Sequence, residues 1–193
     1  MALPGVASAA AEKRHQMVTR AVFADRDGVL CANMIRDGRP VAPTRLEDFR
    51  LLPGVEESVR ALKSAGFLII VVTNQPDVGT GRTPLATVEA MHAIIRAKLA
   101  VDDIKACFHS SVDGCTCRKP KPGMILEAAA ERAIDLPASY VVGDRWSDVA
   151  AGQEAGCATI FVDYGYEADR PIKADTVVGS FAEAAKVILG RGN

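Results

Sequence analysis

Large aromatic rings are scarce in this chain, at 5% of residues with a single tryptophan. No apolar run approaches the length of a membrane span. Neither sign of charge is in excess: 23 basic against 24 acidic residues leave a formal charge of -1, so no basic face advertises nucleic acid. Met1 to Ala11 is alanine-rich but lacks the basic start and sustained apolar stretch of a signal peptide. Residues 1–17 are therefore expected to form a flexible N-terminal extension and residues 18–193 a single domain, in a cytoplasmic, monomeric protein without membrane contact. The five cysteines form no evenly spaced framework of the disulfide kind. Three crowd between 107 and 117, while Cys31 and Cys157 stand apart and read as small apolar side chains.

What the chain does have is 49% hydrophobic residues over 193 positions, enough for a sizeable core. Val22-Phe23-Ala24 reads as a buried strand that breaks off at Asp25-Arg26-Asp27-Gly28. Leu30 to Asp48 reads as irregular and polar. Glu56 to Ala65 puts Val55, Val59 and Leu62 on one helical face, and Gly66 stops the helix before a continuous apolar strand from Phe67 to Val72. Pro76 to Thr83 reads as a loop, and Pro84 opens a helix that carries Val88, Met91, Ile95 and Leu99 inward. Further strands are expected at 104–108, 140–142 and 158–162, with helices at 122–133, 148–155 and 180–189. Strand and helix alternate throughout. Right-handed crossovers make this an α/β, doubly wound, parallel five-stranded sheet with helices on both faces.

In such a sheet, ligands sit at the carboxyl ends of the strands. Asp25 and Asp27 end the first strand, Thr73 and Asn74 the second, Arg118 and Lys119 precede a helix, and Asp144 and Asp148 follow the fourth strand. Asp-x-Asp-Gly alone reads as an ordinary turn. With a hydroxyl, a cation and a further acid pair on the same edge, it supplies what phosphoryl transfer to a carboxylate requires. A magnesium ion and Lys119 would neutralise the phosphoryl group. A second constellation, Cys107-x-His109 and Cys115-x-Cys117, offers four soft ligands, enough to close a tetrahedral structural zinc site on the loop that delivers Arg118 and Lys119.

The order Asp25-Arg26-Asp27-Gly28-Val29, Val72-Thr73-Asn74-Gln75, Arg118-Lys119-Pro120-Lys121-Pro122 and Gly143-Asp144-Arg145-Trp146-Ser147-Asp148 resembles the haloacid dehalogenase-like phosphatases. The resemblance implies Asp25 as nucleophile and Asp27 as general acid and base. It further implies Thr73 and Lys119 as phosphoryl ligands, and magnesium held by Asp25, Asp144 and the Asp27 carbonyl, with Asp148 orienting that shell. With the zinc pattern, the motifs are similar to the D-glycero-D-manno-heptose 1,7-bisphosphate 7-phosphatases and, next to them, the histidinol-phosphate phosphatases. Both lack a large cap domain, and a capless site is expected here. On this likeness Asn74, Gln75, Arg118 and Arg145 face substrate, two cations suiting a bisphosphate. Cys31 to Arg36 departs from the heptose enzymes, and Asp77-Val78-Gly79-Thr80-Gly81 has some likeness to the histidinol-phosphate group. The expected activity is magnesium-dependent removal of the 7-phosphate of a heptose 1,7-bisphosphate through an aspartyl-phosphate. The alternatives are a histidinol-phosphate or other small-metabolite phosphatase, and a non-catalytic phosphate-binding protein.

Overall fold

The structure, a computed structural model, describes residues 19–36, 39–165 and 173–191. The expected extension at 1–17 lies outside them. Strand β1 (Arg20–Ala24) is followed by a hairpin of β2 (Met34–Arg36) and β3 (Arg39–Val41), helix α1 (Val55–Ser64) and β4 (Phe67–Asn74). The short helix α2 (Pro76–Gly79), then α3 (Leu85–Leu99), β5 (Asp103–Cys107) and α4 (Gly123–Arg132) come next. The chain continues with β6 (Tyr140–Gly143), α5 (Trp146–Ala155), β7 (Ala158–Val162), β8 (Thr176–Val178) and α6 (Phe181–Arg191). The main sheet has the order β5-β4-β1-β6-β7-β8. All of its pairs are parallel.

Alternation along β1 divides the core in two. Val22 and Ala24 point to one face, where Val59 and Leu62 of α1, Met91 and Ile95 of α3 and Phe181 and Ile188 of α6 cover them. Ala21 and Phe23 point to the other, against Met124, Ile125 and Ala128 of α4 and Ala151 and Ala155 of α5. Each large apolar side chain taken fully out of water there contributes about 1.5–3 kcal/mol before entropy is counted. A strand covered on both faces has no polar side, which is why β1 and β4 read as unbroken apolar runs.

Three expectations need correction. The sheet has six strands, not five, because Thr176-Val177-Val178 pairs with Ile160, Phe161 and Val162 at the edge. Three half-exposed residues are too few to show a period. The stretch read as irregular contains the antiparallel β2–β3 hairpin, whose first strand is wholly exposed and so carries no burial pattern. The loop expected from Pro76 begins as α2. Between β1 and α1 the described residues insert no element larger than that hairpin and a single 3₁₀ turn at Leu46–Asp48.

Candidate active site

Asp25 leaves the end of β1, where its N–H donates to Val142 O of β6 at 2.9 Å and so fixes two strand ends against each other. Its Oδ1 accepts from Lys119 Nζ at 2.9 Å. The same ammonium pairs with Asp148 Oδ1 and donates to Val72 O at 2.7 Å, leaving Lys119 4% exposed and held from three sides. Burial opposes its charge, but Asp148 and Asp25 outweigh burial and hold the ammonium above its ordinary value. The Asn74 amide grips the Lys119 backbone twice: its Oδ1 accepts from Lys119 N at 3.1 Å, and its Nδ2 donates to Lys119 O at 3.0 Å.

The carboxylates of Asp25, Asp144 and Asp148 have oxygens within 4.8 Å of one another. Burial, followed by the charges of Asp25 and Asp148, pushes Asp144 up to about 8. Burial likewise raises Asp25 to about 6, although Lys119 pulls it back. Asp144 Oδ2 accepts from Asn33 Nδ2 at 3.0 Å, whereas its Oδ1 is buried without a hydrogen-bond partner. Three crowded acids, one lysine and an orphaned carboxylate oxygen suit a hard divalent cation, which would reverse both upward shifts. Asp148 is engaged elsewhere: besides Lys119, its Oδ2 accepts from Arg145 N at 3.0 Å and closes the first turn of α5. Gly28 makes the Asp144 position possible. Its φ is +84°, and a Cβ there would stand 2.0 Å from Asp144 Oδ2. Gly28→Ala is expected to lower stability by about 1–3 kcal/mol and to weaken divalent-ion binding. Thermal melts with and without magnesium check both.

Asp27 occupies an inner nest of donors. Arg26, fully buried, reaches its two oxygens through Nε at 3.1 Å and Nη2 at 2.9 Å. Gln75 Nε2 donates to Asp27 Oδ2 at 2.7 Å and to Thr73 Oγ1 at 2.8 Å. Cys31, expected to be an apolar filler, donates its thiol to Asp27 Oδ1 at 3.2 Å. Gln75 was expected on the substrate side, but it is 3% exposed and spends its amide on these two partners. Behind Arg26 stands His92 on α3, 3.3 Å from Nη1, its pKa lowered to about 4 by burial and by the guanidinium. Asn33, Arg26 and His92 were missing from the sequence-derived site. A charged side chain between two acids at the end of an apolar run was the one signal that pointed to Arg26.

The cleft above these groups has a volume of about 320 Å³. Asp25, Asp27 and Lys119 form its floor, and Asn74, Asp77, Arg118, Arg145, Trp146 and Pro40 to Ala42 its walls. Arg145 Nη2 donates to Pro40 O at 3.0 Å, so the hairpin is tied to the start of α5. Of the other expected residues, Thr73 is 1% exposed beneath Gln75. Arg118 is half-buried and donates to His109 O at 3.3 Å.

Cys107, His109, Cys115 and Cys117 converge beside the floor. Cys107 Sγ lies 3.7 Å from Cys115 Sγ and 3.2 Å from Cys117 Sγ, and His109 Nδ1 lies 3.6 Å and 3.2 Å from Cys107 and Cys117. A tetrahedral ion with metal–sulfur bonds of about 2.3 Å has edges of about 3.8 Å, so the donor set fits zinc in size as well as in softness. Burial and the neighbouring thiols push Cys107 up to about 12, a shift that a bound cation would abolish.

The HAD-hydrolase-like family model matches residues 116–184. The D-glycero-beta-D-manno-heptose-1,7-bisphosphate 7-phosphatase of Pseudomonas putida is 38% identical over 146 residues, covering 73% of this chain and 81% of that one. That of Escherichia coli is 33% identical over 189 residues, covering 87% and 93%. The crystal structure of the D,D-heptose 1,7-bisphosphate phosphatase of B. bronchiseptica, complexed with magnesium and phosphate, superposes with a TM-score of 0.78. It is 30% identical, and the match covers 90% of this chain and 99% of that one.

Proposed function

Because the chain belongs to the haloacid dehalogenase-like phosphatases, in the family of the heptose 1,7-bisphosphate 7-phosphatases, we propose that it removes the 7-phosphate of D-glycero-D-manno-heptose 1,7-bisphosphate. The observation that carries this reading is the cleft itself. Asp25 and Lys119 meet at its floor beside an acid cluster fit for a divalent ion, and Arg118 and Arg145 line its walls. A histidinol phosphate brings one phosphate and a protonated amine, which Arg118 and Arg145 would repel. A bisphosphate supplies a second anion for these arginines beside the group held by Lys119.

In the proposed reaction, an Asp25 oxygen attacks phosphorus and the bond from phosphorus to the sugar oxygen breaks, the departing alkoxide taking a proton from Asp27. Water then attacks the aspartyl-phosphate while giving a proton to Asp27, which frees phosphate and restores Asp25. Lys119 balances charge on the phosphoryl oxygens, and Asp148 holds Lys119 in place. Asn74 and Gln75 act on substrate indirectly, by fixing the Lys119 backbone and the carboxylate of Asp27. Asp25, Asp144 and the Asp27 carbonyl would hold magnesium, which supplies electrostatic neutralisation of the phosphoryl group. The four soft donors would hold zinc, which has no open position and serves only to order the loop. No helix among the described residues is long and apolar enough to cross a membrane. The reading includes a cytoplasmic monomer.

Phosphate release in the presence of magnesium tests the reading, measured on the heptose bisphosphate, histidinol phosphate and simple monoesters. The heptose bisphosphate should give the highest kcat/KM, and preference for histidinol phosphate would displace it. Arg118→Ala should raise KM for a bisphosphate more than for a monophosphate. Equal losses on both would place Arg118 at the transferred phosphoryl group.

A further inference from the structure

We propose that Trp146 is the platform on which the sugar ring of the substrate stacks, so that the cleft reads a ring held between two phosphates. The inference rests on the phosphatase reading and deepens it by naming the side chain that recognises carbohydrate.

Trp146 is the first residue of α5 and the only tryptophan of the chain. It belongs to neither core cluster and stays 45% exposed in the cleft wall. The fold therefore gains little from its size. Its place is fixed on the backbone by the Asp148 carboxylate closing the turn below it, which keeps the entropic cost of ordering it low. Pro40, Val41 and Ala42 add further apolar surface to the same cleft, and Pro40 is tied to the start of α5 by the bond from Arg145 to Pro40 O.

The lining combines three kinds of chemistry. Lys119 and Asp25 take one phosphoryl group, Arg118 and Arg145 offer cations for a second anion, and an indole with small apolar side chains lines the same cleft. A sugar bisphosphate has the same three parts. The C–H bonds on one face of a pyranose are polarised by the adjacent oxygens and meet the negative face of an aromatic ring favourably. A monophosphate without a ring fills the floor and leaves the indole in water.

Because there is no second tryptophan, fluorescence excited at the red edge of the indole band, beyond tyrosine absorption, reports this side chain alone. In Asp25→Asn protein with magnesium, the heptose bisphosphate should give a saturable change in indole emission, while inorganic phosphate, which reaches only the floor, should give a much smaller one. An unchanged emission at concentrations that calorimetry shows to be saturating overturns the proposal. In kinetics, Trp146→Ala should lower kcat/KM on the heptose bisphosphate about tenfold, mainly through KM. That loss should be several-fold greater than the loss on acetyl phosphate. Trp146→Phe should restore most of it, and Trp146→Leu, which keeps bulk without a π face, should not. Equal losses on the two substrates, or full rescue by leucine, assign Trp146 to packing instead. Should the wild-type enzyme fail to hydrolyse the heptose bisphosphate, the substrate reading falls. The fluorescence titration then decides the stacking on its own.

Discussion

Asp25→Asn protein should fold, bind substrate and release phosphate at a rate lower by about four orders of magnitude or more, the scale of loss when a nucleophile is removed. The amide retains the shape of the carboxylate but has no anionic oxygen to attack phosphorus. Stability gives an independent check. Burial raises the Asp25 carboxyl from its ordinary 3.8 to about 6, so the folded protein binds that proton more tightly than the unfolded chain does. The stability linked to it is complete below 3.8 and disappears as pH rises to about 6. At neutral pH the ionised group is a net burden on the metal-free fold. Asparagine should therefore leave the metal-free melting temperature unchanged or raised, and magnesium should stabilise the variant less than the wild type. Near wild-type turnover would remove Asp25 from the nucleophile's place.

The second large effect is expected from the soft-ligand loop. Cys115 is the ligand to replace, because Cys107 is also part of the core between the sheet and α4 and its loss would mix packing with metal binding. Cys115→Ser should release zinc and reduce turnover by roughly 10–100-fold, the range seen when groups that orient a reacting residue are lost. The melting temperature should fall only by several degrees, since the two apolar clusters are built mainly from the sheet and its helices and the loop adds only Cys115 and Cys117 at the margin of one. Zinc-dependent small domains behave differently, because there the metal supplies the folding energy. The loop keeps some order of its own: Lys121 Nζ donates to Cys115 O at 2.7 Å, and Asn74 still grips Lys119. Elemental analysis and turnover on one preparation decide the matter. Protein isolated without chelators yet lacking near-stoichiometric zinc reduces the four residues to thiols and an imidazole. Zinc loss with unchanged turnover separates the staple from Lys119.

The parts of this molecule that were legible in its sequence are those whose signal is local. β4 declares itself as an apolar run, and the acids declare themselves by interrupting such runs at their ends. Helix α1 follows from Val55, Val59 and Leu62 on one face. Helix α5 begins at Trp146, before the Asp148 start expected, because its cap is the reciprocal bond between Arg145 N and Asp148, which no cap residue at the helix start advertises. What remained hidden depends on partners far along the chain. Asn33 finds Asp144 across 111 residues, and Arg26 finds His92 across 66. Neither pairing has a spacing rule, since it exists only once β1 and β6 lie side by side and α3 covers their end. The hairpin that walls the cleft was invisible for another reason: its first strand buries nothing and its second fully buries only Pro40, too little to select a pattern.

β1 lies between β4 and β6 in the middle of the sheet, and Asp25, Asp27, Asp144 and the buried Thr73 stand on or just past the ends of these three strands. Backbone amides in such a position open to solvent only when the whole protein does, so these strand-end residues have almost no local freedom of their own. Lys119, Arg118 and the β2–β3 hairpin arrive on segments outside that lattice. Adjustment to the successive shapes of substrate, aspartyl-phosphate and product therefore falls to the loops, while the reacting carboxylates keep one spacing throughout the cycle.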